Sequence, residues 1–142
     1  MPYPPNIVDP MREELTRMGF REARTGEEAE EALSRPGTTL LVINSVCGCA
    51  AGNARPAVGL ALTHKTTPDH LFTVFAGQDL EAVAKAREFI PGYPPSSPSM
   101  ALFRDGELVM MLERKDIEGR PAPEIAGDLV GAFDRFCAPP HR

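Results

Sequence analysis

The sequence predicts an α/β fold in which helices flank both faces of a central, mixed but mostly parallel sheet. Two runs of apolar and β-branched residues, 38–44 and 71–76, have the character of strands buried on both faces. Segments with helical periodicity separate these runs, and this alternation favours parallel pairing through right-handed crossovers. A two-residue turn, Asp105-Gly106, joins two further short strands and adds an antiparallel edge.

The first elements are predicted from their boundary residues. The first helix is expected to start at Asp9-Pro10, with Asp9 as the N-cap and Pro10 in the first helical position. Gly19 is expected to end it, because glycine accepts the left-handed backbone of a helix C-terminus. Residues 20–24 follow as a weak strand candidate.

A second helix and the central strand follow. Thr25 and Glu28 have the spacing of a capping box that opens a helix. The strand at 38–44 comes next, and then a helix over about 48–63. Pro56 lies inside this helix and is expected to kink it, because proline cannot donate the helical hydrogen bond.

The second half of the chain is predicted in the same way. Residues 77–79 open a helix, and 91–98 form a rigid loop of proline and serine. Strands at 100–104 and 107–112 make the hairpin. Pro121 then precedes a last amphipathic helix.

Composition limits the classes of function. The 142 residues are 42% apolar and 25% charged, which is ordinary for a globular protein. We expect a single domain over 1–142 with frayed proline-rich ends, 1–8 and 138–142. The net charge of −5 argues against nucleic acid as a partner. No apolar run reaches the ~18 residues that span a bilayer, and no signal peptide is evident, so we expect a cytoplasmic protein without membrane association.

The segment Cys47-Gly48-Cys49 lies between the best strand and a helix. A helix N-terminus offers unpaired N–H groups and partial positive charge, which favour thiolate over thiol. A thiolate attacks disulfides, and a second thiol can expel what the first has captured. We expect Cys47 to be the more exposed, attacking thiol and Gly48 to allow an unusual backbone angle between the cysteines.

Two other interpretations of the cysteines remain open. Cysteine is often a small buried apolar residue, although so close a pair at this junction favours chemistry. A metal site could combine Cys47, Cys49 and Cys137 with His64 or His70, but the spacing lacks the paired knuckles of zinc sites. We therefore expect no metal.

Pro98 stands directly before the first hairpin strand. The element order and this proline together are those of a thioredoxin-like fold, by analogy of fold. We predict a cis peptide bond between Ser97 and Pro98, because proline is the only residue for which the cis form costs little. In this position Ser97 and Pro98 would contact a bound substrate chain beside Cys47.

Several segments resemble the signature of the bacilliredoxin family. They are residues Val42–Gly52, Ala54–Pro56, Val74–Asp79, Pro95–Leu102 and Phe133–Cys137. The resemblance implies a thioredoxin-like thiol–disulfide oxidoreductase that removes bacillithiol, a low-molecular-weight thiol, from S-bacillithiolated cytosolic proteins. It implies that Cys47 attacks the mixed disulfide and that Cys49 is the second cysteine, with Gly48 and the Ser97-Pro98 pair predicted to contact substrate.

The resemblance also implies the co-substrates. No tightly bound cofactor is expected; bacillithiol acts as a thiol co-substrate, and a bacillithiol-disulfide reductase is expected to recycle it. The family has also been described as disulfide isomerases, so a disulfide isomerase or reductase of general specificity stays open. So does a different class, a metal or metal-cluster carrier that uses Cys47, Cys49 and Cys137.

Overall fold

The computed structural model describes residues 3–137, and its strands form one five-stranded sheet. The strands are β1 (Arg21–Glu22), β2 (Thr38–Asn44), β3 (His70–Phe75), β4 (Ser99–Arg104) and β5 (Glu107–Leu112). They lie in the order β1-β3-β2-β4-β5, with β1, β3 and β2 parallel and β4 antiparallel to both of its neighbours. Four of the five strands therefore point in one direction, which confirms the predicted mixed, mostly parallel sheet.

Helices cover both faces of this sheet. They are α1 (Pro5–Thr16), α2 (Gly26–Leu33), α3 (Arg55–Ala61), α4 (Leu80–Glu88) and α5 (Ala122–Phe136). Helices α3 and α5 pack with Leu40 and Val42 on one face, whereas α2 and α4 pack with Leu41 and Ile43 on the other. Successive side chains of a strand point to opposite faces, so the continuous apolar run of β2 serves both cores. All seven of its residues are buried, as predicted for a central strand.

The predicted start of the first helix is wrong. The helix begins at Pro5, after Pro4 as the N-cap residue, and Pro10 lies inside it. Pro5 loses nothing in the first helical position, because the N–H it lacks has no partner there. Val8 is fully buried, and this tertiary contact favours helix upstream of Asp9. Residues 5–8, which belong to the end that was expected to fray, are therefore helical. Residues 138–142, the other end expected to fray, lie outside the described residues.

The helical segment after β2 is irregular before Pro56, which lies in the first turn of α3. Helical backbone begins at Gly48, and a π-helical turn covers Ala50–Ala54 before α3. The backbone N–H of Arg55 donates to the carbonyl of Ala50, five residues earlier. Such π turns insert an extra residue and often occur at functional sites.

Local signals predicted the other turns correctly. The capping box forms, with Thr25 Oγ1 accepting from the N–H of Glu28. The hairpin turn has positive φ at both central residues, 53° at Asp105 and 84° at Gly106. This is the backbone of the two-residue turn that matches the twist of an antiparallel hairpin.

Candidate active site

The neighbouring cysteines lie at the carboxyl end of the central strand. β2 ends at Asn44, level with Phe75 at the end of its parallel neighbour β3. Cys47 follows three residues later, in the turn that enters the helical backbone at Gly48. The carboxyl ends of parallel strands are where α/β sheets bind ligands, so the fold presents these thiols at the usual reactive edge.

The two thiols are in direct contact. The Sγ atoms of Cys47 and Cys49 lie 2.8 Å apart, and both thiols are free. The backbone N–H of Cys49 also donates to Cys47 Sγ at 3.4 Å. Both residues are half-buried, so the prediction that Cys47 is the more exposed of the two stays a prediction. What distinguishes the two is that donors converge on the sulfur of Cys47.

These contacts separate the acidities of the two thiols. The hydrogen bond from Cys49 lowers the pKa of the Cys47 thiol, and the backbone N–H of Cys49 and the charge of Arg114 lower it further. Burial raises the pKa of the Cys49 thiol, and its hydrogen bond to Cys47 adds to this. Of the two thiols, Cys47 therefore forms the thiolate more readily, which is the species required of an attacking sulfur.

Gly48 has a simpler role than predicted. It is absent from the glycines with positive φ and has helical backbone, so the expected unusual angle is wrong. A side chain at this position would nevertheless meet nothing within 4 Å. The open space beside the thiols is available to a substrate, and the predicted contact with Gly48 stays a prediction.

A buried arginine holds the turn that carries Cys47. Arg55 is fully buried and donates to Asn44 Oδ1 at 2.8 Å and to the carbonyl oxygen of Ser45 at 3.1 Å. Its Nε pairs with Glu14 of α1 at 2.7 Å. Ser45 Oγ in turn accepts from the backbone N–H of Cys47 at 3.1 Å. Arg55 thus fixes the strand end from which the reactive turn departs.

No local pattern in the sequence indicates this role of Arg55. The residue lies next to the apolar stripe of Ala54, Val58 and Ala61, where an arginine is ordinarily expected at the solvent-exposed edge. Its partner Glu14 is 41 positions away. A buried polar network of this kind becomes visible only once α1 and α3 are packed together.

The Ser97–Pro98 peptide bond is cis, as predicted. Ser99, the next residue, pairs with Ile43 near the end of β2, so Pro98 lies at the same end of the sheet as Cys47. The carbonyl oxygen of Ser97 accepts from the Arg114 guanidinium at 3.4 Å. Contacts of Ser97 and Pro98 with a substrate stay predictions.

Cys137 lies at the opposite end of the sheet. It lines an open cleft of about 730 Å³ together with Thr38, the first residue of β2, whereas Cys47 follows the last residue of that strand. Seven strand residues span about 20 Å. The three cysteines therefore cannot bind one metal ion within one chain, and the metal-carrier alternative that used all three is contradicted.

Two findings concern residues 3–137 alone. Within this range no three His, Cys, Asp or Glu side chains are grouped so that they could hold a metal ion. In the same part of the chain, every helix is too short or too polar to span a lipid bilayer.

Comparison with known proteins gives a consistent result. A family model described as "Disulphide isomerase" matches residues 3–137. A bacilliredoxin of Salinibacter ruber is 58% identical over 96% of this chain and 82% of its own length. A bacilliredoxin of Geobacillus kaustophilus is 54% identical over 93% of this chain and 91% of its own.

Solved structures confirm the predicted fold. A mutant thioredoxin from Halobacterium salinarum superposes with a TM-score of 0.55 at 18% identity, covering 83% of this chain and 90% of that one. Thioredoxin from Fasciola hepatica superposes with a TM-score of 0.54 at 14% identity, covering 82% and 99%. The fold is thioredoxin-like.

Proposed function

Because this chain belongs to the bacilliredoxin family and is a thiol–disulfide oxidoreductase, we propose that it removes bacillithiol from S-bacillithiolated proteins in the cytoplasm. The observation that carries the proposal is the contact between Cys47 and Cys49. Their Sγ atoms are 2.8 Å apart, and the contact lowers the pKa of one thiol while it raises that of the other.

The first step is capture of the thiol. The Cys47 thiolate attacks the bacillithiol sulfur of the mixed disulfide, and the bond between that sulfur and the protein substrate breaks. The substrate leaves as a thiolate, which takes a proton from water. Bacillithiol is then held in a new disulfide with Cys47, and no electrons have been gained or lost overall.

The second step is release. Cys49 gives up its proton and attacks Cys47 Sγ, so that free bacillithiol departs and a Cys47–Cys49 disulfide forms. Alternatively, a free bacillithiol attacks the adduct and leaves as bacillithiol disulfide. The first route needs two electrons to restore the cysteine pair, and two bacillithiol molecules supply them by forming bacillithiol disulfide. In both routes a bacillithiol-disulfide reductase would regenerate the free thiol.

Intact-mass analysis of single variants tests this proposal. After incubation with a bacillithiolated protein, Cys49→Ser should retain one bacillithiol on Cys47, because the internal exit is gone. Cys47→Ser should retain none, because an alcohol is not ionised near neutral pH. Cys137→Ser is the matched control and should behave as the native protein. A Cys47→Ser variant that still removes bacillithiol would overturn the proposal.

A second assay separates this activity from general disulfide isomerisation, the activity that the family description names. The native protein should release bacillithiol from a mixed disulfide faster than it rearranges the disulfides of a scrambled protein. The reverse order of rates would favour the isomerase. Turnover of Cys49→Ser in excess free bacillithiol would identify the route that needs only Cys47.

A further inference from the structure

A cleft beside the Ser97–Pro98 segment, at the same end of the sheet as the cysteine pair, is not used by the chemistry described so far. It has a volume of about 270 Å³. One wall is the rigid loop with Pro95 and Ser96, and the other is the segment after β5 with Glu113, Arg114, Lys115 and Glu118. Its volume is at the lower end of small-molecule sites, so it suits one small group rather than a protein surface.

Arg114 joins the two walls of this cleft. Its backbone N–H donates to Ser96 Oγ at 3.3 Å, and its guanidinium donates to the carbonyl oxygen of Ser97 at 3.4 Å. Ser97 is the residue before Pro98, at the end of the sheet that carries Cys47. The contact with Ser97 therefore places the Arg114 guanidinium at this end of the sheet.

The charges of the cleft also act on the thiols. The positive charge of Arg114 helps to lower the pKa of Cys47. Burial is the main cause that raises the pKa of Cys49; the charge of Glu118 adds to it and the charge of Arg114 opposes it. The field of Arg114 therefore reaches both sulfurs, and that of Glu118 reaches Cys49. A small thiol in disulfide linkage with Cys47 would carry its own charged groups within the same region.

Arg114 and Glu118 form an ion pair that a ligand could replace. Their side chains lie 3.3 Å apart and are 42% and 59% exposed. Exposed ion pairs of this kind contribute little to stability. Replacing each partner by a charge on the ligand therefore costs little free energy. Lys115 is paired with Glu113 at 3.6 Å, so the walls carry two positive and two negative charges. This balance disfavours a ligand with charge of a single sign.

We propose that this cleft binds the small-thiol half of the mixed disulfide, and that this half is zwitterionic. Arg114 binds its carboxylate and Glu118 binds its ammonium group. The proposal rests on the proposed removal of a low-molecular-weight thiol and adds the chemistry by which that thiol is recognised.

The proposal also decides which sulfur is attacked. With the small thiol in the cleft, its sulfur is the one presented to Cys47, so the Cys47–small-thiol disulfide forms and the protein substrate leaves as thiolate. The opposite orientation would join Cys47 to the protein substrate and release the small thiol. Each outcome conserves electrons, and the two give adducts of very different mass.

The test uses one reference protein whose single thiol is blocked in three ways. Cysteine gives a zwitterionic adduct, cysteamine a cationic one and mercaptopropionate an anionic one. The rate of unblocking is measured with the native chain, Arg114→Gln and Glu118→Gln. Arg17→Gln is the matched control, because Arg17 is an exposed arginine at the C-terminus of α1 that pairs with Glu13 of the same helix.

Ratios of the three unblocking rates separate recognition of the small thiol by the cleft from changes in the acidity of Cys47. Arg114→Gln should lower the rates for cysteine and mercaptopropionate relative to cysteamine by about tenfold, the value of one charge-assisted hydrogen bond. Glu118→Gln should lower the rates for cysteine and cysteamine relative to mercaptopropionate. Any change in the thiolate fraction of Cys47 alters all three rates equally and cancels in these ratios.

Adduct masses complete the test. With Cys49→Ser, the small thiol should be found on Cys47. Unchanged rate ratios in both charge variants, or an adduct of Cys47 with the reference protein, would overturn the inference while bacillithiol removal stands. A native protein that unblocks none of the adducts, bacillithiol included, would overturn the proposed function itself.

Discussion

Cys47 and Cys137 are the same residue type at opposite ends of one sheet, and their surroundings differ in a way that explains their different chemistry. Cys47 precedes helical backbone, and its sulfur accepts from Cys49 while it lies within the field of Arg114. Cys137 follows the last residue of α5, and burial raises the pKa of its thiol. A helix N-terminus favours negative charge and a C-terminus disfavours it. Position relative to a helix, the presence of donors and the degree of burial therefore all favour thiolate at Cys47 and disfavour it at Cys137.

The largest effect in this comparison should come from replacing the two thiols. Cys47→Ser should reduce disulfide exchange by about a thousandfold or more, because the nucleophile is removed. Cys137→Ser should leave kcat/KM within about twofold of the native value, since no contact joins it to the reacting thiols. Rates on one mixed-disulfide substrate measure both. Equal losses of rate in Cys47→Ser and Cys137→Ser would contradict the assignment of Cys47, rather than Cys137, as the reactive thiol.

The next largest effect should be on stability at the Cys47 end. Arg55→Met removes the donors to Asn44 Oδ1 and to the Ser45 carbonyl and leaves both acceptors buried. Asn44 Oδ1 keeps the backbone N–H of Ser45 as a donor, so the Ser45 carbonyl is the acceptor left unsatisfied. We expect the free energy of unfolding to fall by about 1–3 kcal/mol, the cost of one such group. Denaturant unfolding measures this fall, and the exposed Arg17→Met is the control. A loss below about 0.5 kcal/mol would show that Arg55 does not hold the turn.

A smaller effect should distinguish the two causes of the low Cys47 pKa. Cys49→Ala removes the larger cause, the hydrogen bond to the sulfur, and Arg114→Gln removes the weaker one, a positive charge. Both changes should raise the pKa of Cys47, and Cys49→Ala should raise it more. The pH dependence of alkylation at Cys47 itself, followed by peptide mass analysis in each single variant and in the native protein, reports the order. The opposite order would show that the charge of Arg114 lowers the pKa of Cys47 more than the hydrogen bond from Cys49 does.

Features set by neighbouring residues could be predicted from the sequence. The capping box of Thr25 and Glu28 and the turn at Asp105-Gly106 depend on a few adjacent positions, and both form as predicted. The place of the cysteine pair also followed from local order, a buried strand followed by a helix.

Features set by distant contacts could not be predicted in this way. Asp9-Pro10 has the local pattern of a helix start, but the burial of Val8 favours a helix that begins earlier, at Pro5. Arg55 and Arg114 reach the site through contacts with segments 41 and 17 positions away, with Glu14 and Ser97 respectively. Charged residues are ordinarily expected to point into solvent, so the contacts of Arg55 and Arg114 at the site could not be predicted from the sequence.

The most direct test of the central claim is the pH dependence of alkylation at each cysteine of the native, reduced protein. Peptide mass analysis after short exposure to iodoacetamide gives the rate at Cys47, Cys49 and Cys137 in one sample. A lowered pKa means that thiolate is present at lower pH, so Cys47 should reach its maximal rate first as the pH rises. Cys49 and Cys137, whose pKa values are raised, should follow at higher pH. If Cys49 or Cys137 is alkylated faster than Cys47 at neutral pH, the assignment of Cys47 as the attacking thiolate is wrong.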